Sequence, residues 1–343
     1  PHSSRGESQM TPDVVVLSRA GEASLPRPSV KALRVRYAVR FVVQHDRPSG
    51  PRAAALLSGA RVLAATNVAL PVLDDALLDR LPDLRHVVLY ATGYEHLDIA
   101  GLDRRGITVS TLPDYATNAV AEHALALLFA SAARVHLSND KSVGRAPQDV
   151  SLRGVEITNR TLAIIGLGRI GRRLATLARG LGMRVIGADI DPGARVSARR
   201  AGIPTLTLAE CLHQADLVAV TASTIAGQYP ILDTTALARL HPDVFVVNVG
   251  RPALVDGAAM RTALLAHHIR GYAVDEVILD PADPLDALLI AQGRVLQSAH
   301  SAWWRDEALA NGAQMFATAI QAAADGAPIH VVPSAPVLAR AAG

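Results

Sequence analysis

Lysine is almost absent from this 343-residue chain: Lys31 and Lys141 are the only two, so nearly all of the 34 basic residues are arginines. With 31 acidic residues the net charge is only +3, and no basic run is present, which argues against a nucleic-acid surface. Cysteine is equally scarce. Cys211 is alone, which excludes an intramolecular disulfide and a CxxC metal site; it falls in an apolar helical pattern with Leu208 and Leu212 and is expected to be buried filler. Long hydrophobic runs are missing too. The best, Ala124 to Ala133, is bounded by His123 and Arg134 and falls short of the roughly 18 residues of a membrane span. Residues 1 to 11 are polar, lack the apolar stretch of a signal peptide and are expected to form a disordered extension, so the expected location is cytoplasmic. Aromatic residues make up only 3%, yet half the chain is hydrophobic, ample for packed sheets. At this length two domains are expected.

What is present is an alternation of short β-rich runs and helical patterns. Strands are expected at 14–17, 61–65, 87–91, 108–111, 162–166, 183–188, 204–207, 217–221, 244–249, 272–274 and 295–298. Helices are expected near 52–58, 74–80, 97–104, 118–134 and 307–324, with an exposed loop over 138–154. Strands alternating with helices imply parallel, doubly wound sheets. The α/β fold expected is thus two Rossmann-like doubly wound domains with an active-site cleft between them. A flavodoxin-like substrate domain covers 12–117 plus a returning 305–335, and a dinucleotide domain covers 118–304.

The second domain is marked by Gly166-Leu-Gly168-Arg-Ile-Gly171, preceded by the apolar strand Leu162 to Ile165 and followed by the helical pattern Ile170, Leu174, Leu177. Gly166 suits a tight turn, Gly168 leaves bare backbone against a pyrophosphate, and Gly171 lets the helix pack on the strand. The helix N-terminus then offers free N–H groups and a dipole to the diphosphate. Eighteen residues after Gly171, at the end of a second strand, stands Asp189. An acid there accepts from the ribose hydroxyls and repels a 2′-phosphate, so NAD is expected rather than NADP.

Three downstream residues follow predicted strands, where open α/β sheets place their ligand crevice. Arg251 offers a donor fork suited to a carboxylate, and His300 a side chain that exchanges a proton near neutrality. Asp280 lies twenty residues before His300 and is expected to orient its ring.

These residues resemble the D-isomer-specific 2-hydroxyacid dehydrogenase family. The likeness runs from about Val87 to the final helix and rests on Asn248-Val-Gly-Arg251, Asp275-Glu-Val-Ile-Leu-Asp280-Pro281, Ser298-Ala-His300, Ala91-Thr92-Gly93 and Val120-Ala-Glu-His123. The resemblance implies reversible hydride transfer between NADH and a 2-keto acid, with the D-2-hydroxy acid as product. His300 is then the acid/base, and Arg251 with the backbone at Thr92 and Gly93 anchors the substrate. It also implies that Arg169 and Ile170 lie along the diphosphate, that Thr221 borders the adenine side, that Asp275 and the backbone at Val249 hold the carboxamide, and that a homodimer forms through the NAD-binding domain. Four departures stand out: Asp280 for glutamate, Ala91 for a loop glycine, Pro252 for the glycine after the arginine, and Thr221-Ala-Ser for a Leu-Pro-Leu-like turn. Thr92 stands where phosphite dehydrogenases have lysine, and Asp280 where formate dehydrogenases have glutamine. Trp303 and Trp304, the chain's only tryptophans, follow His300; Trp303 is expected to line the substrate pocket. A tryptophan near this place also resembles the C-terminal-binding-protein corepressors, which gives a second reading: an NAD(H)-binding regulatory protein with little turnover.

Overall fold

A computed structural model describes residues 13–224 and 230–334, so the expected extension at residues 1–11 lies outside the described residues. The chain divides at Tyr115/Ala116 and again at Ala308/Leu309, giving a discontinuous unit and a continuous one. These points differ by a few residues from the sequence boundaries of 117/118 and 304/305, because the division follows packing and falls inside the helix Asp306–Ala324.

In the discontinuous unit, β1 (Val14–Ser18), β2 (Val39–Val43), β3 (Val62–Thr66), β4 (His86–Tyr90) and β5 (Thr108–Ser110) form a parallel sheet in the order β2-β1-β3-β4-β5. This is the flavodoxin-like order. The inner strands read as unbroken apolar runs because helices cover both faces, and Val14 to Leu17 are fully buried. Strand β2 was not expected. It lies at the edge and is only half-buried, and Arg40 interrupts its apolar run.

His86 lies inside this sheet, 3% exposed. Its Nδ1 pairs with Thr108 Oγ1 at 2.5 Å and its Nε2 with Ser110 Oγ at 2.8 Å, while the Ser110 hydroxyl donates to Ile329 O at 2.5 Å. With the Ser110 proton so committed, Nε2–H must donate to Ser110, and in the neutral ring Nδ1 then accepts from the Thr108 hydroxyl. Burial pushes its pKa down to about 4. A histidine held neutral when folded loses its contribution as pH falls from its ordinary 6.5 towards 4, because the unfolded chain binds the proton first. At about 1.4 kcal/mol per unit, we expect this unit to lose about 3 kcal/mol over that window. Urea midpoints measured across it check this, and a His86→Gln variant is expected to flatten the slope.

In the continuous unit, β6 (Thr161–Ile165), β7 (Arg184–Ala188), β8 (Leu217–Val220), β9 (Phe245–Asn248), β10 (Gly271–Val274) and β11 (Val295–Gln297) form a second parallel sheet, in the order β11-β10-β9-β8-β6-β7. The order reverses at β6, so the chain leaves β6 and β8 in opposite directions and opens a crevice beyond their carboxyl ends. The run at 204–207 contributes only a single bridge, Thr205 to Gly187, since Pro204 can donate nothing to a ladder. The expected loop over 138–154 is partly helical, as the helix Val135–Ser142 reaches into it. Among the described residues no single helix is long and apolar enough to cross a membrane. The apolar helix Thr117–Ala133 is buried along most of its length and ends at Arg134 in left-handed backbone. Cys211 is fully buried, and burial pushes its thiol up to about 11.

Candidate active site

The glycine turn follows β6 directly. Gly166 has φ +102°, and a methyl group there would overlap the backbone of Ala222, whose Cα would lie 2.6 Å away. The Thr221 hydroxyl donates to Gly166 O at 2.6 Å and fastens the turn to the end of β8. A methyl at Gly171 would strike the Gly166 carbonyl. Gly168 is different: it caps the helix Arg169–Gly180, and a methyl there would meet nothing within 4 Å. Its bare face is therefore open space at a helix N-terminus, the cradle a diphosphate requires. Arg169 is exposed in the first helical turn, and Ile170 is half-buried against the core.

Asp189 follows β7 directly and turns back to this loop. One carboxylate oxygen accepts from Leu167 N–H at 2.6 Å and the other from Asp191 N–H at 2.8 Å. Each oxygen keeps a further lone pair for a hydroxyl. The residues present thus fit a dinucleotide.

Arg251 is placed by Asn248, which is 1% exposed at the end of β9. The Asn248 side-chain Oδ1 accepts from Gly250 N–H at 2.9 Å, and Nδ2 donates to Arg251 O at 3.0 Å and to Tyr272 Oη at 3.2 Å. Pro252 opens a 3-10 turn at its first position, where a missing N–H costs nothing. Val249 is buried and donates its N–H to Val220 O at 3.0 Å.

The loop after β11 is built around Asp275, whose side chain is 7% exposed. Its carboxylate accepts from the Ser298 hydroxyl at 2.8 Å, Ser301 N–H at 2.8 Å and Ala302 N–H at 3.0 Å. Behind it stands His123, on the helix Thr117–Ala133. Arg305 can only donate, so its 3.0 Å contact makes His123 Nδ1 an acceptor. His123 Nε2–H therefore donates to Ser298 Oγ at 2.9 Å, and the hydrogen bonds run from Arg305 through His123 and Ser298 to the accepting Asp275 carboxylate. Burial holds the His123 pKa below its usual value, opposed by the Asp275 carboxylate. No local pattern marks this hydrogen-bonded chain, because it joins elements far apart. Asp275→Ala strands three donors at about 1 kcal/mol each, so we expect a loss of about 3 kcal/mol in denaturant unfolding. A loss under about 1 kcal/mol would show that water replaces the carboxylate.

His300 stands on this loop with φ +51°. Its Nδ1 pairs at 2.9 Å with Glu276, not with the expected Asp280. Asp280 is exposed; its carboxylate accepts from Ala282 N–H at 2.9 Å within its own turn, and its N–H donates to Asp286 at 3.1 Å. The reason is the fastening of the segment between. Gln297 Oε1 accepts from Ile278 N–H at 3.0 Å and Leu279 N–H at 3.1 Å, and Leu279 is buried in the core, so Asp280 emerges beyond the ring. Trp303 is half-buried and packs edge-on against Trp304, which is exposed.

Thr92 and Gly93 belong to the other unit, after β4. The Thr92 hydroxyl donates to Leu112 O at 2.9 Å, and Ala91, in place of a glycine, is buried in that unit's core.

Residues 125–302 match the family model described as D-isomer specific 2-hydroxyacid dehydrogenase, NAD binding domain. The chain belongs to this family. It is 31% identical over 270 residues to the D-3-phosphoglycerate dehydrogenase of Mycobacterium bovis, covering 77% of this chain and 49% of that one. The chain thus spans about half the length of that relative. It is also 31% identical over 256 residues to the glyoxylate reductase of Korarchaeum cryptofilum, covering 71% of this chain and 74% of that one. Among solved structures, D-lactate dehydrogenase from Aquifex aeolicus, complexed with NAD and lactic acid, has the same fold, with a TM-score of 0.73 and 20% identity over 91% of this chain and 96% of that one.

Proposed function

We propose that this member of the 2-hydroxyacid dehydrogenase family reduces a small 2-keto acid to the D-2-hydroxy acid with NADH, reversibly. The observation that carries the reading is that Arg251 and His300 follow the carboxyl ends of β9 and β11 in the same parallel sheet whose β6 turn has an open cradle at Gly168. NADH, when bound, supplies the hydride. Gly168, Arg169, Ile170 and Gly171 would hold its diphosphate, Asp189 the ribose, Thr221 the adenine side, and Asp275 with Val249 the carboxamide. Asp275 already accepts three hydrogen bonds, so its share of that contact uses the remaining lone-pair capacity of its carboxylate.

The chain's own residues then do two things. The Arg251 guanidinium grips the substrate carboxylate and polarises the carbonyl beside it. His300, with Nδ1 engaged, presents Nε2 to the carbonyl oxygen and hands it the proton that balances the incoming hydride. The name glyoxylate reductase among the relatives supports a short keto acid such as glyoxylate as substrate, and the name D-3-phosphoglycerate dehydrogenase supports a phosphorylated one. A homodimer formed through the NAD-binding unit is part of this reading and is tested by light scattering of the full chain. A cytoplasmic location belongs to the same reading.

The exposed Trp304 favours one alternative, a regulatory NAD(H)-binding protein. Loss of reduced-nicotinamide absorbance decides between the two. The full chain is mixed with NADH or NADPH and a panel of glyoxylate, hydroxypyruvate, pyruvate and bulkier keto acids. Turnover with NADH in preference to NADPH is expected; tight NADH binding with no keto acid consumed would leave the regulatory reading.

A further inference from the structure

We infer that the carboxylate positioning the acid/base histidine has moved in this chain: Glu276, next to the loop anchor Asp275, performs the task, and Asp280 has become part of a surface turn. The inference rests on the dehydrogenase reading of His300.

Adjacent residues leaving a strand point to opposite sides. After β10, Asp275 turns inward, its side chain 7% exposed, and its carboxylate collects Ser298, Ser301 and Ala302. Glu276 turns the other way and is 34% exposed. The loop anchored by Asp275 carries His300 in left-handed backbone, closed by His300 N–H donating to Ser298 O at 2.9 Å. That turn swings the imidazole over the Glu276 side, and Nδ1 meets Glu276 Oε2 at 2.9 Å. Two neighbouring carboxylates therefore divide the work: one fixes the loop and the other fixes the ring.

The chemistry follows from the pairing. A carboxylate only accepts, so the neutral ring must carry its proton on Nδ1 and leave Nε2 as the basic atom; the protonated ring keeps the same orientation and donates from Nε2. An orienting partner of this kind sets both the tautomer and the direction of the reactive nitrogen. Asp280 does not meet the ring: its carboxylate bonds to Ala282 N–H within its own turn and its N–H is held by Asp286. Glu276 acts through His300 and is a positioning residue.

The test compares Glu276→Gln, Asp280→Asn and the parent full chain. Nitrogen-15 spectra of the ring, with His300 assigned by its loss in His300→Ala, report the tautomer without any turnover. Expected is an Nδ1–H ring in the parent and in Asp280→Asn, and a shift of the tautomer balance in Glu276→Gln. In keto-acid reduction, kcat is expected to fall about a hundredfold in Glu276→Gln, with KM and NADH affinity little changed, and to stay within about threefold in Asp280→Asn. A tautomer unchanged in Glu276→Gln, or a kcat loss in Asp280→Asn as large as in Glu276→Gln, would overturn the inference. A parent chain that turns over no keto acid would strike the dehydrogenase reading instead, and the spectra would still judge the pairing.

Discussion

His300→Ala is expected to lower kcat/KM for keto-acid reduction by about a thousandfold, within the range a well-placed general acid supplies, while NADH affinity stays within about twofold. The separation follows from placement. His300 lies on the loop after β11, whereas the glycine turn and Asp189 follow β6 and β7, on the far side of β8, β9 and β10. Removing the imidazole takes away the proton donor and leaves the dinucleotide cradle as it was. His300→Gly gives an internal control, because residue 300 has φ +51°. Glycine adopts left-handed backbone without the penalty a side chain incurs, about 1 kcal/mol. The glycine variant is therefore expected to be more stable than the alanine variant and just as inactive. Stopped-flow reduction of glyoxylate and urea unfolding of both variants measure the two effects. Activity within tenfold of the parent in His300→Ala would remove His300 from the chemistry.

The glycine turn was legible because its requirements are local: an apolar strand, three glycines and an acid at the end of the next strand are all written within one short stretch. The positions of Arg251 and His300 were legible for a similar reason, since strand ends mark the ligand crevice of a parallel sheet. Strand β2 was not. An edge strand needs only one neighbour and little burial, so Val39 to Val43 carries no buried apolar signature. The partner of His300 was hidden more deeply. Glu276 and Asp280 are both acids near the same strand end, and spacing alone favours the one that matches the family. Which of them meets the ring depends on Gln297 gripping Ile278 and Leu279, and on the backbone turn at residue 300. Both are tertiary facts. The chain from Arg305 through His123 to Asp275 is of the same kind, joining residues more than 180 apart in sequence at its first link.

Gly166→Val is expected to cost about 4 kcal/mol of folding stability, from strained backbone at about 1 to 3 kcal/mol and overlap with packed neighbours, and to abolish measurable NADH binding. At φ +102° a β-branched side chain has no low-energy conformation, and its Cβ would overlap the Ala222 backbone at the end of β8. Relief requires β6 and β8 to part, which breaks the Thr221 to Gly166 hydrogen bond and opens the reversal point of the sheet. Gly168→Ala separates binding from folding. Residue 168 has φ −65° and open space around the missing methyl, so its alanine variant is expected to unfold at the parent's urea midpoint. The methyl would occupy the space that a diphosphate needs against bare backbone, and NADH affinity is expected to fall at least about tenfold. Fluorescence titration with NADH reads the difference. Should Gly168→Ala bind NADH as tightly as the parent, the diphosphate does not rest on this turn, and the cofactor assignment built on Gly166 to Gly171 fails with it.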